Sequence, residues 1–220
     1  GICVTNYTFG CLAAHDVIIR HVRIRVGDGS GLTQDGCGAR SSDHCIFDHC
    51  SISWSIDEGF SSREGGNITV QRCIIAEALH IANHRKYLAN CTGRNWSLAG
   101  RLDRTGTRLA GWLDIRNNVV YNWRDRTTDG GVRELNFVNN YYVPGPATKV
   151  FTLLKPDPGD PDRGMRAFMT GNGIVDRPEF DADNWKAYVG PAEGLTKVRV
   201  SKPLFEPFVT THTAKEAFEN

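Results

Sequence analysis

The sequence is poor in the features that would place it in a membrane, on a nucleic acid or around a structural zinc. No stretch approaches the roughly 18 consecutive apolar residues of a membrane span. The opening residues, GICVTNYTFG, have neither the basic nor the apolar region of a secretory leader, so the chain reads as a mature or trimmed domain. Its 26 basic and 25 acidic residues leave a formal charge of +1 on 220 residues, and no field of one sign draws it to nucleic acid or a lipid surface. Any charged partner must be recognised locally. The seven cysteines include no CxxC pair, which argues against a structural zinc module, and their odd number leaves at least one without a partner in the chain. They leave the redox compartment open. Helical periodicity is scarce throughout.

What the sequence has in quantity is punctuation. With 23 glycines, 9 prolines and many asparagines it breaks often, and short β-type runs lie between the breaks. Six of these runs align: VIIRHVRIR from 17, CIFDHCSIS from 45, ITVQRCIIA from 68, LDIRNNVVY from 113, LNFVNNYYV from 135 and AFMTGNGIV from 167. Their fifth residues fall at 21, 49, 72, 117, 139 and 171, with spacings of 28, 23, 45, 22 and 32. This is a repeat of about 22 residues with insertions, in which the interval of 45 counts as two coils. A leucine-rich repeat would need a leucine pattern that is missing. The expected fold is therefore all-β, a right-handed single-stranded parallel β-helix over residues 1–175, with an irregular C-terminal extension over 176–220 packing on it in the same domain.

The sixth residues of the runs are Val22, Cys50, Cys73, Asn118, Asn140 and Asn172. Equivalent positions stack in a solenoid, so these predict internal ladders in which asparagine amides satisfy one another and the backbone at a buried bend. Cys50 and Cys73 are expected as buried thiols, because stacked neighbours have poor geometry for a bridge. Near the end, TAKEAFEN starts like a helix, with Thr213 and Glu216 forming a capping box, and stops after about two turns. It suggests an incomplete cap over the solenoid end.

The residues that invite chemistry are acidic. DHCSISWSIDEGF, residues 48–60, reads as an alternating strand that ends in the adjacent acids Asp57 and Glu58. Two neighbouring carboxylates repel, so either water screens them or a cation holds them. His80 and His84 have the i, i+4 spacing of a helical zinc site, but a strand-rich chain would not keep them on one face. Tyr121, Trp123, Tyr141 and Tyr142 are expected as wall or core residues rather than sugar platforms. Asn6, Asn67, Asn90 and Asn95 each head a glycosylation sequon, a motif common by chance.

Taken together, HDVIIRHVRIR, DHCIFDHCSISWSIDE, NITVQRCIIAEALH, GRNWS, LDIRNNVVYNW, TDGG and LNFVNNYYVPGPAT resemble the pectate lyase family, in its branch with the DHCSxSWSxDE signature. The resemblance covers residues 15–150 and extends toward 208. It implies β-elimination on pectate or polygalacturonate-type uronate chains, with Ca²⁺ bridging substrate carboxylate and acidic residues of the sheet. Matched by motif, Asp35 in TQDG resembles the first acidic ligand, Asp57 the second with Glu58 beside it, and Arg94 in GRNWS the base that takes the C5 proton. Glu77 in AEALH is a further ligand or a surface acid. Members of the family carry a His-Gly stretch and another strand between the segments matching EALH and GRN; here Arg85 and Lys86 stand in their place as substrate-binding candidates.

The expected partner is an acidic polysaccharide, with neither nucleic acid nor membrane, in a secreted or periplasmic setting. Oligomeric state is left open by the sequence. Two competing readings are an inactive or purely carbohydrate-binding homologue on the same fold, and a glycoside hydrolase that uses paired carboxylates as acid and base.

Overall fold

A computed structural model describes residues 1–79, 94–98, 100–103 and 105–219. The first strands are β1 (Cys3–Thr5), β2 (Phe9–Leu12), β3 (His15–Arg20), β4 (Arg23–Arg25), β5 (Cys37–Arg40) and β6 (Asp43–Asp48). Then come β7 (Ser51–Ser53), β8 (Phe60–Ser61), β9 (Gly66–Gln71), β10 (Ile74–Ala76), β11 (Trp96–Ser97) and β12 (Trp112–Arg116). The last are β13 (Val119–Tyr121), β14 (Thr128–Asp129), β15 (Glu134–Val138), β16 (Tyr141–Val143), β17 (Arg166–Thr170) and β18 (Gly173–Ile174).

These strands stack, every third with every third, into three parallel sheets. One has seven strands in the order β1-β4-β7-β10-β13-β16-β18, one has five in the order β14-β11-β8-β5-β2, and one has six in the order β17-β15-β12-β9-β6-β3. The result is a parallel β-helix. Each strand pairs with its counterpart on the next coil, and alternate side chains point into the solenoid.

The bend between the six-stranded and seven-stranded sheets explains the repeat. The fifth residues His21, His49, Arg72, Asn117, Asn139 and Gly171 all have φ between 50° and 66°, so one left-handed residue per coil turns the chain from one sheet into the next. Directly after it comes the asparagine ladder. Asn118 donates through Nδ2 to Asn140 Oδ1 at 2.9 Å, Asn140 to Asn172 at 2.9 Å, and Asn172 to Asn184 at 2.9 Å. At the start of the ladder, the backbone N–H of Cys73 donates to Asn118 Oδ1 at 3.0 Å. All four amides are buried, and the ladder saturates groups that would otherwise cost desolvation without return.

Inside, Phe47 packs edge-on to Phe60 with ring centroids 5.0 Å apart, Phe60 lies 6.0 Å from Trp96, and Trp123 lies 5.5 Å from Tyr142. Burial of each such ring is worth about 1.5–3 kcal/mol. Cys11, Cys37, Cys45, Cys50 and Cys73 are buried free thiols, and burial holds the Cys37 and Cys73 thiols well above their usual range.

Two expectations are corrected. The interval of 45 residues is one coil and not two, since β9 pairs directly with β12 through Ile68↔Leu113 and Val70↔Ile115, and β10 pairs with β13 through Ile75↔Val120. The extra length is carried in the sequence on either side of β11. The helical end of the chain also lies elsewhere than expected. Residues 178–198 cover the end of the solenoid with α1 (Pro178–Ala182), a 3₁₀ turn (Asn184–Ala187) and α2 (Ala192–Val198), burying Trp185, Ala187 and Val198 in the core. By contrast α3 (Ala214–Glu219) lies against the side of the stack, where Phe218 meets Tyr141 at 5.2 Å. Its capping box forms, with Glu216 N–H donating to Thr213 Oγ1 at 3.2 Å and Thr213 N–H donating to Glu216 at 2.8 Å.

Candidate metal centre and its arginine

The site lies just ahead of three consecutive strands of the five-stranded sheet. Cys37 pairs with Phe60, and Phe60 with Trp96. Two residues before each stand Asp35, Glu58 and Arg94, so these three side chains occupy one register position on three successive coils. The backbone repeats faithfully at this point: Gly36 N–H donates to Glu58 C=O at 2.7 Å, and Gly59 N–H donates to Arg94 C=O at 2.7 Å. The coils approach closely here. A Cβ on Gly36 would lie 2.6 Å from the Gly59 carbonyl oxygen, and one on Gly59 would lie 2.9 Å from that of Asn95, so glycine is required at both.

Asp57 is presented from the preceding loop. The C=O of Gln34 accepts from the N–H groups of both Ile56 and Asp57, at 3.1 and 3.0 Å, which ties this loop to the coil carrying Asp35. Asp35, Asp57 and Glu58 each place a carboxylate oxygen within 4.8 Å of the others. Asp35 and Asp57 are half-buried, whereas Glu58 is only 2 % exposed. Arg94 forms an ion pair with Glu58, and its Nη2 lies 3.9 Å from Asp57 Oδ1. The Glu58 N–H donates to Asp35 Oδ1 at 3.3 Å.

The electrostatics single out Glu58. Burial pushes its carboxyl up to about 7, the hydrogen bond and charge of Asp35 push the same way, and Arg94 pulls it partly back. A buried carboxylate that one arginine does not fully compensate, with two more carboxylates open to solvent beside it, suits a hard cation with oxygen ligands and free coordination positions. The all-oxygen donor set does not suit zinc. Among the described residues no other group of this kind is found.

The remaining candidates fall elsewhere. Glu77 does not join the trio. It is exposed at φ 52° after β10, on the turn leaving the seven-stranded sheet, while the trio sits at the start of the five-stranded one. Arg85, Lys86, His80 and His84 lie outside the described residues. Trp123 and Tyr142 are buried in the core as expected. The element that sequence reasoning missed is the register itself. The triplets Asp35-Gly36-Cys37, Glu58-Gly59-Phe60 and Arg94-Asn95-Trp96 share a charged residue, a small or turn-forming one and a core residue, and aligning them would have found it.

Known proteins are similar to this one in sequence. A probable pectate lyase C of Neosartorya fischeri is 32% identical over 193 residues, covering 83% of this chain and 43% of the relative. Namesakes in Aspergillus terreus, 34% identical over 193 residues, and Emericella nidulans, 33% over 189, cover 83% of this chain as well. The chain belongs to the pectate lyase family. No protein-family model matches it. The chain spans 42–43% of the length of these three relatives.

Proposed function

We propose that the protein is a polysaccharide lyase that cleaves pectate or polygalacturonate-type uronate chains by calcium-assisted β-elimination. The observation that supports this most is the in-register stack of Asp35, Glu58 and Arg94, which sets a cation-type carboxylate cluster beside a guanidinium. Asp35, Asp57 and Glu58 are the residues that would hold calcium. When bound, calcium supplies positive charge against a uronate carboxylate and so makes the C5 proton easier to remove.

Arg94 is the group assigned to that proton. A guanidinium is normally protonated, and that of Arg94 is ion-paired with Glu58. To take the C5 proton Arg94 must first give one up to water, and loosening of its pair with Glu58 is what frees it to do so. Once the C5 proton has moved to Arg94, the electron pair left on C5 forms the C4–C5 double bond, the C4–O bond breaks, and the leaving oxygen takes a proton from water. Arg94 still charged would instead stabilise the developing negative charge.

A second reading is favoured by one observation. A carboxyl raised to about 7, as at Glu58, is suited to act as the general acid of a glycoside hydrolase. The products separate the two. Polygalacturonate incubated with the full chain should show a calcium-dependent rise in ultraviolet absorbance from unsaturated ends, abolished by chelator. Reducing ends without that absorbance would replace the lyase by a hydrolase, and retention of the polymer without either product would make the protein a binding homologue. A polymeric substrate goes with a secreted or periplasmic protein; among the described residues no helix is long and apolar enough to cross a membrane.

A further inference from the structure

Beside the carboxylate cluster stands a polar residue whose side chain has no part in the chemistry above. Phe9, Cys37 and Phe60 pair in register, and three residues before each stand Asn6, Gln34 and Asp57. Gln34 is therefore the middle member of a row that ends in one metal candidate, Asp57, and it directly precedes another, Asp35. Its side-chain amide meets the first coil, where Oε1 accepts from the Thr8 N–H at 3.1 Å and Nε2 donates to the Asn6 C=O at 3.1 Å. The same Nε2 donates to Ser30 Oγ at 2.7 Å, within its own loop. Its backbone C=O meets the third coil and holds the N–H groups of Ile56 and Asp57. Thr8 Oγ1 completes the arrangement by donating to the Asp35 C=O at 2.7 Å. Residues 26–36 join β4 to β5 as a loop, and Gly27 and Gly31 within it take φ of 63° and 67°. Such a loop is held by the hydrogen bonds at its ends rather than by its own backbone preferences. Asp35, Asp57 and Glu58 repel one another when no cation lies between them, and a tie from Gln34 to the coils on both sides opposes their separation.

We propose that Gln34 is a positioning residue for the metal centre. Its amide anchors the chain ahead of Asp35 to the first coil while its carbonyl holds Asp57, so the three carboxylates are set for a divalent cation before one arrives. Gln34 is not itself a ligand. The inference rests on the calcium reading above and deepens it. A site already in place avoids the ordering that a loose one would undergo on binding, so the clamp acts on calcium affinity.

The test is isothermal titration calorimetry of the full, chelator-stripped chain with calcium, on wild type, Gln34→Leu and Gln34→Glu. Thr196→Val removes an exposed hydrogen bond to the Ala192 C=O on α2 and controls for such a loss far from the site, and circular dichroism checks folding. Gln34→Leu removes all three side-chain bonds and should raise the calcium dissociation constant about tenfold, the order of one or two neutral hydrogen bonds. Gln34→Glu keeps the side-chain length and the acceptor for Thr8, but it sets a carboxylate oxygen against the Asn6 C=O. It should also bind calcium more weakly, although its added negative charge alone would tighten binding. A merely structural role would lower the melting temperature in chelator and leave the calcium constant as it is. An unchanged constant in Gln34→Leu, unchanged or tighter binding in Gln34→Glu, or an equal loss in Thr196→Val would each overturn the clamp. If Gln34→Leu does not fold, Gln34→Glu decides by the same rule. A wild type that takes up no calcium removes the calcium reading and the clamp with it, whereas a wild type that binds calcium while both Gln34 variants match it removes the clamp alone. The expected weakening in a protein whose wild type forms no unsaturated product keeps the clamp and removes the lyase.

Discussion

Glu58 and Arg94 occupy the same register position on consecutive coils and form an ion pair across the gap between them. Strand pairing sets their separation, so the contact does not depend on loop geometry. The pair joins the two halves of the proposed chemistry, since the carboxylate that would serve a cation also sets the state of the guanidinium.

The first expectation concerns Arg94. Arg94→Ala should lower kcat for unsaturated-product formation by about a hundredfold or more, the order seen when a group acting only in the transition state is removed. Arg94→Lys should not restore it, because an ammonium lacks the fork that meets Glu58. Ultraviolet progress curves under saturating polygalacturonate check this, and full activity in Arg94→Ala would remove Arg94 from the mechanism.

Removal of metal should show in stability as well as in turnover. Calcium at 100 times its dissociation constant should stabilise the folded chain by about 2.7 kcal/mol. Asp57→Asn and Glu58→Gln should each lose most of that gain in a thermal melt with and without chelator. An unchanged calcium-dependent shift in both variants would place the ion elsewhere.

The pH dependence follows from Glu58. Its folded carboxyl keeps a proton up to about pH 7, while the ordinary value is 4.5, so between these values the folded state binds more protons than the unfolded one. Stability in chelator should therefore fall as pH rises from about 4.5 to 7 and level off above, by at most about 3 kcal/mol. Glu58→Gln should flatten that fall in urea titrations across the window. A wild-type profile that rises through it would contradict the assignment.

The asparagine ladder should be costly to break. Asn140 accepts from the backbone N–H and side chain of Asn118 and donates to Ile115 C=O and Asn172. Asn140→Leu removes this partner from the buried Asn118 N–H and Ile115 C=O, at about 1–3 kcal/mol each, while Asn118 Nδ2 keeps Val70 C=O and Asn172 Oδ1 keeps the backbone N–H of residue 140. A loss of several kcal/mol in urea unfolding is expected, and a loss below 1 kcal/mol would mean the ladder relaxes or takes in water.

Thiol labelling offers an inexpensive check on the coil packing. Among the six described cysteines only Cys3 is exposed, so a thiol reagent should reach it in the native protein and the other five only on unfolding. Rapid native labelling of Cys50 or Cys73 would show that the wall opens.

Much of this was written in local chemistry. The left-handed fifth residue and the asparagine after it recur because each coil must turn a corner and satisfy the buried backbone there, and that need is the same on every coil. The paired acids Asp57 and Glu58, Asp35 in its TQDG turn and Arg94 in GRNWS stood out by residue type and motif. Where an insertion lengthens a coil, local pattern loses its hold, which is why residues between Cys73 and Asn118 read as two coils when strand pairing makes them one.

What the sequence by itself determined is the repeat, its corner and the kinds of residue at the site, because these depend on near neighbours in the chain. Only the tertiary structure decided which of the acids meet. Glu77 directly follows β10 and Glu58 ends the loop after β7, both strands of the seven-stranded sheet, yet Glu77 stands at the corner leaving that sheet and Glu58 at the entry to the five-stranded one, where the stacking of coils brings Asp35 and Arg94 to Glu58 and leaves Glu77 exposed. That choice rests on register between strands far apart in sequence, and register is a property of the assembled sheet.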